Sequence, residues 1–394
     1  MKKVVQIGAG AIGRGFLADL YSRSGYEIVF VDVAAEVVRA LNDRGCYEIE
    51  LTTEPPTCVT VENVRAVDGR DAGAVAREMI DADLAGMAVG VPNIEKVLPV
   101  LARALEVRFA DPDAAPLSML TSENMLGAGA HVKGRLLEMV SDGVREAVAE
   151  KFGAVDLEVS RMVPIMDPEV QRRDPLAIRV EPYYKLPADR KAFAGPIPDV
   201  YGLEPVDNIE AYQELKLFTH NMLHALCAYL GELKGLEFVY ESQADPEIRP
   251  VMVGALWESA EVLRRRWSFS RAELADVIEE KIRRTGSLAL GDQNRRVGRD
   301  PVRKLGGEER LVRPARLALA LGVYPANLIR TIAAGYAFDR PDDERAVELQ
   351  ALIAEAGIER AVEEVSGLAP DDRLARAVAA EWRKLANGRH GQKS

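Results

Sequence analysis

Four side chains in one short stretch could move a proton and manage the charge it leaves behind. Lys216, His220, Asn221 and His224 lie within Tyr212-Gln213-Glu214-Leu215-Lys216-Leu217-Phe218-Thr219-His220-Asn221-Met222-Leu223-His224. At about 100° per residue an α-helix stacks Lys216, His220 and His224 along one side, with Asn221 on its flank. Leu217, Phe218, Leu223, Leu226 and Leu230 fill the remaining positions, so the helix is expected to be buried with its polar side turned to a cleft. Oxidising an alcohol by hydride transfer needs a base for the hydroxyl proton and donors for the charge that grows on the oxygen. A lysine serves as the base when burial and neighbouring cations bring its pKa towards ~7–8, and an asparagine amide donates without titrating. Asn221 is one such donor. Asn124, in Ser122-Glu123-Asn124-Met125, is a second, because it follows a predicted strand, Leu117 to Leu120, at the edge where parallel sheets bind ligands.

A hydride acceptor is implied by a second cluster. Gly8-Ala9-Gly10-Ala11-Ile12-Gly13 reads GxGxxG between a strand ending at Ile7 and a helix beginning at Gly13. In that setting Gly8 permits the turn, Gly10 lets backbone approach a pyrophosphate, and Gly13 lets helix and strand pack closely. Asp32 ends the next apolar run, 19 residues after Gly13, where a carboxylate can accept the ribose hydroxyls. It would repel a 2′-phosphate, and Val33, Ala34 and Ala35 supply no arginine to receive one, so NAD is favoured over NADP. Ile12 in the turn and Gly90 after the predicted strand Leu84 to Val89 complete the cofactor-binding candidates.

These residues need a frame. The first half of the chain alternates short apolar runs with amphipathic stretches: strand to Ile7, helix Gly13 to Ser24, strand Glu27 to Val31, helix Ala35 to Asn42, helix Ala72 to Ile80, strand Leu84 to Val89, helix Ile94 to Leu105, strand Leu117 to Leu120 and helix Ala128 to Glu150. That order predicts a parallel sheet buried on both faces. Tyr47 to Leu51 and Cys58 to Val67 read as an inserted antiparallel pair, and Leu157 to Val163 and Leu176 to Glu181 as further strands. From Asn208 to Leu385 a 3.6-residue apolar rhythm predicts helices throughout. The expectation is therefore an α/β protein: an N-terminal Rossmann-type doubly wound domain, residues 1–200, and a mainly α-helical C-terminal domain, residues 201–394.

Composition excludes several other classes. Asp and Glu total 62 against 51 Lys and Arg, a net charge of −11, which opposes nucleic-acid binding. No apolar run approaches a membrane span, and the N-terminus lacks a signal-peptide pattern, so a cytoplasmic protein is expected. Cys46, Cys58 and Cys227 are odd in number and widely spaced, which predicts reduced, mostly buried thiols; the His220/His224 pair has no HExxH glutamate or paired cysteines, so no metal site is expected.

Lys216-x4-Asn221-x2-His224 resembles the signature of the polyol-specific long-chain dehydrogenases, and the similarity continues through Asp174-Pro175-Leu176, Ala228-Tyr229-Leu230-Gly231, Gly298-Arg299-Asp300-Pro301 and Arg303-Lys304-Leu305. The resemblance implies metal-independent, NAD-linked oxidation, with Lys216 as base, Asn124 and Asn221 as donors to the oxyanion and His224 orienting substrate. Close members usually read Asp-Arg-Ile-Val-Pro where this chain has Ser160-Arg161-Met162-Val163-Pro164, and Glu-Pro-Phe where it has Glu181-Pro182-Tyr183. Between Asn294 and Arg316 stand eight basic residues and three acidic ones. Arginine forks suit phosphate oxygens, which makes Arg296, Arg303 and Lys304 candidates for binding a polyol phosphate or sugar phosphate. An unphosphorylated polyol or a sugar acid such as altronate, and a non-catalytic NAD sensor, are the alternatives. Monomer and homodimer both fit.

Overall fold

The computed structural model describes residues 1–164 and 166–391 as two compact units, Met1–Gln213 and Glu214–Ser394. The division falls later than residue 200 because a strand at Leu203–Val206 pairs in parallel with Leu186–Asp189 and belongs to the first unit.

In the first unit the strands are β1 (Lys2–Ile7), β2 (Tyr26–Asp32), β3 (Cys46–Leu51), β4 (Thr57–Glu62), β5 (Val64–Asp68), β6 (Leu84–Met87), β7 (Leu117–Thr121), β8 (Phe152–Asp156), β9 (Arg179–Val180), β10 (Leu186–Asp189) and β11 (Leu203–Val206). Six make one parallel sheet in the order β5-β2-β1-β6-β7-β8. Alternate residues feed opposite faces: Val4, Ile28 and Phe30 pack with Phe16, Leu20 and Tyr21, whereas Val5, Val29 and Val31 pack with Val75, Met79, Leu98 and Leu101. The short apolar runs are therefore unalternating because both faces are covered.

Three sequence expectations are corrected. The run Cys58 to Val67 is two strands, broken at Asn63 with φ 55°: β4 pairs antiparallel with β3, while β5 turns back to join β2 in the main sheet. The helix expected from Ala128 to Glu150 is two, Ala128–Met139 and Asp142–Lys151, because Val140 and Ser141 are extended. The edge strand is Phe152–Asp156 rather than Leu157 to Val163, of which only Leu157 makes a bridge, to Ala188. Of the three cysteines only Cys227 is buried; Cys46 is half-buried and Cys58 exposed.

The second unit is built of helices around one apolar core. Its central helix, Met222–Leu233, buries nearly every residue from Met222 to Gly231. Gly231 is required there: a Cβ would lie 2.1 Å from Ser242 Oγ and 2.4 Å from Asn294 Nδ2. That close approach lets Asn294 donate to Leu236 O, Phe238 O and Ser242 Oγ at 2.8–3.2 Å, which pins the segment carrying Asp292 and Arg296.

Candidate active site

The cofactor candidates gather at the carboxyl ends of β1, β2, β5 and β6. A cavity of about 590 Å³ there is lined by Gly8, Gly10, Asp32, Val33, Arg70 and Val89 among others. Gly8, at φ 92°, has no room for a Cβ, which would fall 2.3 Å from Ala88 O; at Gly13 it would fall 2.0 Å from Gly8 O. Gly10 is exposed with nothing within 4 Å of that position. Two glycines thus close the turn and the third leaves it open for a ligand, the division of labour a pyrophosphate needs. Asp32 accepts from the Ala9 N–H at 2.7 Å and the Ala34 N–H at 2.9 Å, so the carboxylate braces the turn and keeps further lone pairs for ribose hydroxyls. Ile12 is half-buried against the apolar layer behind the turn. Gly90, at φ 82°, has an open Cβ position.

Two residues here were missed by sequence reasoning. Arg70, from the end of β5, lines the same cavity and donates to Val33 O at 3.3 Å while paired with Asp68; a search for arginines just after Asp32 could not find a side chain brought in by a neighbouring strand. Arg14 is buried beneath the turn, donates to Ala9 O at 2.6 Å and leaves Nη1 without a partner; burial holds its pKa below the ordinary arginine value.

Asn124 is exposed on the loop after β7. The residue before it, Glu123, is buried and accepts from the N–H groups of Val89 at 2.8 Å and Gly90 at 3.3 Å; burial raises its carboxyl pKa above the usual range. Ser122 N–H donates to Met87 O at 2.8 Å and Gly129 N–H to Asp156 Oδ1 at 2.8 Å. The loop is fixed on both sides of Asn124, and the same carboxylate that fixes it also holds Gly90. In the departing stretch, Ser160 is buried with its hydroxyl on Glu158, and Arg161 pairs with Asp19 at 2.8 Å.

In the second unit the stretch Leu217–Asn221 is a π-helical turn between the helices Ile209–Lys216 and Met222–Leu233. An i→i+5 turn holds more residues than an α-turn, so Asn221 is carried back towards the line of Lys216 instead of remaining on the flank. Lys216 and Asn221 are half-buried, and His220 is 6% exposed. The rings of His220 and His224 meet edge to face at 4.7 Å, and neither His220 Nδ1 nor His224 Nε2 has a hydrogen-bond partner. Asp292 Oδ2 stands 3.6 Å from His224 Nε2. Burial lowers the His224 pKa to about 4, Asp292 partly opposing it and Arg296, Arg310 and Arg284 adding to it. Burial first, then the charges of His224, Lys281, Arg284 and Lys216, holds His220 well below the usual imidazole value.

Glu214, two residues before Lys216, is fully buried. It accepts from Arg266 Nε and Nη2 at 3.1 Å, Trp267 Nε1 at 2.5 Å and Arg313, tying the segment that carries Lys216 to two other helices. Nothing in the local sequence marks it.

Of the three phosphate candidates, Arg296 pairs with Asp292 and so stands beside His224. Lys304 is buried, and burial with the charges of Arg310 and Arg303 pushes its pKa down to about 7. Arg303 is half-exposed and engaged by Asp300 at 2.8 Å and Glu309 at 3.5 Å.

Residues 2–201 match the family described as Mannitol dehydrogenase Rossmann domain, and residues 208–386 the Mannitol dehydrogenase C-terminal domain. The chain is 36% identical over 375 residues to a protein of Bacillus licheniformis named Mannitol-1-phosphate 5-dehydrogenase, covering 95% of this chain and 98% of that one. A Bacillus pumilus protein of the same name is 36% identical over 380 residues, 96% and 99% of the two chains. Among solved structures, Pseudomonas fluorescens mannitol 2-dehydrogenase in a ternary complex with NAD and D-mannitol has a TM-score of 0.74 at 18% identity, over 98% of this chain and 92% of that one. A D-sorbitol dehydrogenase in substrate-free form has a TM-score of 0.81 at 15% identity, over 96% and 92%. At those identities the likeness is one of fold.

Proposed function

Because the chain belongs to the mannitol dehydrogenase family, we propose that it interconverts D-mannitol 1-phosphate and D-fructose 6-phosphate with NAD. The observation that carries this reading is its match, over 95% and 96% of its length, to the two Bacillus proteins named Mannitol-1-phosphate 5-dehydrogenase. The residues fit the cofactor: Gly8, Gly10, Ile12, Gly13 and Gly90 would hold it, with Asp32 on the ribose, and when bound NAD supplies the hydride acceptor. On oxidation the alcohol loses a hydride and a proton, and the C–O single bond becomes a carbonyl. Lys216 takes the hydroxyl proton and returns it in the reverse direction. Asn124 and Asn221 donate to the oxygen as its charge grows, preorganised by the pinned loop and the π-turn respectively. His224, an uncharged imidazole at neutral pH, orients a substrate hydroxyl. Arg296, Arg303 and Lys304 are assigned to the substrate's anionic end, Arg296 standing beside His224 through Asp292. On this reading the enzyme works in the cytoplasm on small molecules, as a monomer or homodimer.

The test follows NADH absorbance with mannitol 1-phosphate plus NAD and fructose 6-phosphate plus NADH, beside mannitol, fructose and altronate, for the wild type and Lys216→Ala. Preference for the phosphorylated pair and a loss of about 10²–10⁴-fold in turnover in the variant, with NAD binding kept, are expected. Turnover on an unphosphorylated substrate alone would move the specificity, and near-normal turnover in Lys216→Ala would remove that lysine from the mechanism.

A further inference from the structure

A dinucleotide with a 2′-phosphate needs a cation beside the carboxyl end of β2, and the three residues after Asp32 supply none. The fold nevertheless brings one there. β2 and β5 pair in parallel with Asp32 opposite Asp68, so the two strands end side by side in carboxylates. Gly69 N–H then donates to Asp32 O at 3.0 Å, which carries the pairing one step further. Arg70 comes next; it lines the same cavity as Asp32 and Val33, and its Nη2 donates to Val33 O at 3.3 Å. Lys96, the other cation of that lining among the described residues, belongs to the helix Ile94–Phe109 and donates to Asn93 Oδ1 at 3.0 Å. By position, Arg70 is the side chain placed to receive a 2′-phosphate, and a guanidinium with its fork unoccupied would draw one in.

That fork is occupied by Asp68. Its Oδ1 accepts from the Arg70 backbone N–H and from Nε, both at 2.9 Å, and its Oδ2 accepts from Nη2 at 2.9 Å and from Nε at 3.2 Å. The backbone bond fixes the carboxylate, and the carboxylate fixes the guanidinium. Exposed ion pairs are usually worth little, but a bidentate arginine–carboxylate contact is the geometry that does hold. Each partner stabilises the charge of the other: hydrogen bonds from Arg70 keep the Asp68 carboxyl below its ordinary pKa, and Asp68 keeps the guanidinium above its own. The two strand-end carboxylates therefore have separate tasks. Asp32 accepts from the N–H groups of Ala9 and Ala34 and keeps lone pairs for ribose hydroxyls. Asp68 accepts only from Arg70 among the described residues, and its effect on the cavity is to neutralise that cation.

We infer that Asp68 is a second determinant of coenzyme choice: by engaging Arg70 it withholds from the ribose end of the cavity the cation that a 2′-phosphate would need. The inference rests on this cavity being the NAD site, and binding tests it apart from turnover. Calorimetric titration with NAD and with NADP compares the wild type, Asp68→Asn, Arg70→Gln and the double variant. The wild type should bind NADP more weakly than NAD. Asp68→Asn should tighten NADP by about tenfold, the size of one hydrogen bond to a charged group, and leave NAD within about twofold. In Asp68→Asn/Arg70→Gln the NADP gain should vanish. The double variant decides the cause, because removing one negative charge would favour NADP even without Arg70, whereas freeing the fork needs it. Asp68→Ser removes the carboxylate with a smaller side chain and should reproduce the gain, which guards against an asparagine variant that does not fold. NADP affinity unchanged in both single variants at Asp68, or a gain that survives loss of Arg70, would overturn the inference, as would a wild type that binds the two nucleotides equally. A wild type that does not bind NAD would overturn the cofactor reading itself, and that result appears before any substitution is made.

Discussion

His224 is uncharged at neutral pH because its surroundings will not accept another proton: burial first, then Arg296, Arg310 and Arg284, against the weaker pull of Asp292, with the His220 ring packed edge-on. Its pKa of about 4 lies below the unfolded value near 6.5. Between those values the unfolded chain binds more protons than the folded one, so stability rises with pH across that window. The contribution is fully present above about 6.5 and is lost as pH falls towards 4, on the order of 3 kcal/mol from this imidazole. Denaturant midpoints measured at pH 7.5 and 4.5 should therefore separate more widely in the wild type than in His224→Asn. Equal separations would mean that His224 does not titrate as its burial requires. The same chemistry fits a substrate-orienting role, since a neutral ring both donates and accepts.

At the scale of the element, the segment that presents Lys216 is held from outside by Glu214. Its three partners lie 52, 53 and 99 residues further along the chain. Glu214→Gln would turn amide hydrogens towards Arg266, Arg313 and Trp267, leaving buried donors unpaired; a loss of about 3–5 kcal/mol is expected, or on the order of 10 °C in melting temperature. Turnover should fall while NAD affinity holds, which separates this positioning role from a cofactor effect. A melting temperature within a degree of wild type would show that the network does not fix the helix. Such contacts also mark the limit of sequence reading. The glycine turn, Asp32 and the buried strands were legible because each is specified by residues within a few positions of one another. Likewise the stripe of Lys216, His220 and His224 was visible as a period. By contrast Arg70 and Glu214 acquire their places from packing between distant segments, and the β4/β5 break at Asn63 turns on one left-handed residue inside an otherwise continuous strand pattern. Asn221 lay between these cases: its type was readable, but its angle to Lys216 depends on a π-turn that apolar periodicity does not announce.

On the scale of the whole molecule, the proposed binding work is divided between the two units. The first has the glycine turn, Asp32 and the cavity at the carboxyl edge of its sheet. The second brings the charges of Lys281 and Arg284 to His220 and those of Arg296, Arg310 and Arg284 to His224, in a chain whose net charge is −11. Overall negative charge is thereby combined with a local excess of positive charge. Amide hydrogen exchange read peptide by peptide should resolve the two sites. A ligand at 100 times its Kd stabilises the state it binds by about 2.7 kcal/mol, so segments that open only when the ligand leaves should exchange roughly 100-fold more slowly. NAD should slow exchange from Gly8 to Arg14 and from Ala88 to Lys96, where the turn and the Glu123-bonded loop meet the cavity. Fructose 6-phosphate should slow it from Asn294 to Lys304, where fructose should not. NAD protection that spares the glycine turn would place the cofactor elsewhere, and equal protection by fructose and fructose 6-phosphate would take the anionic end of the substrate away from Arg296, Arg303 and Lys304.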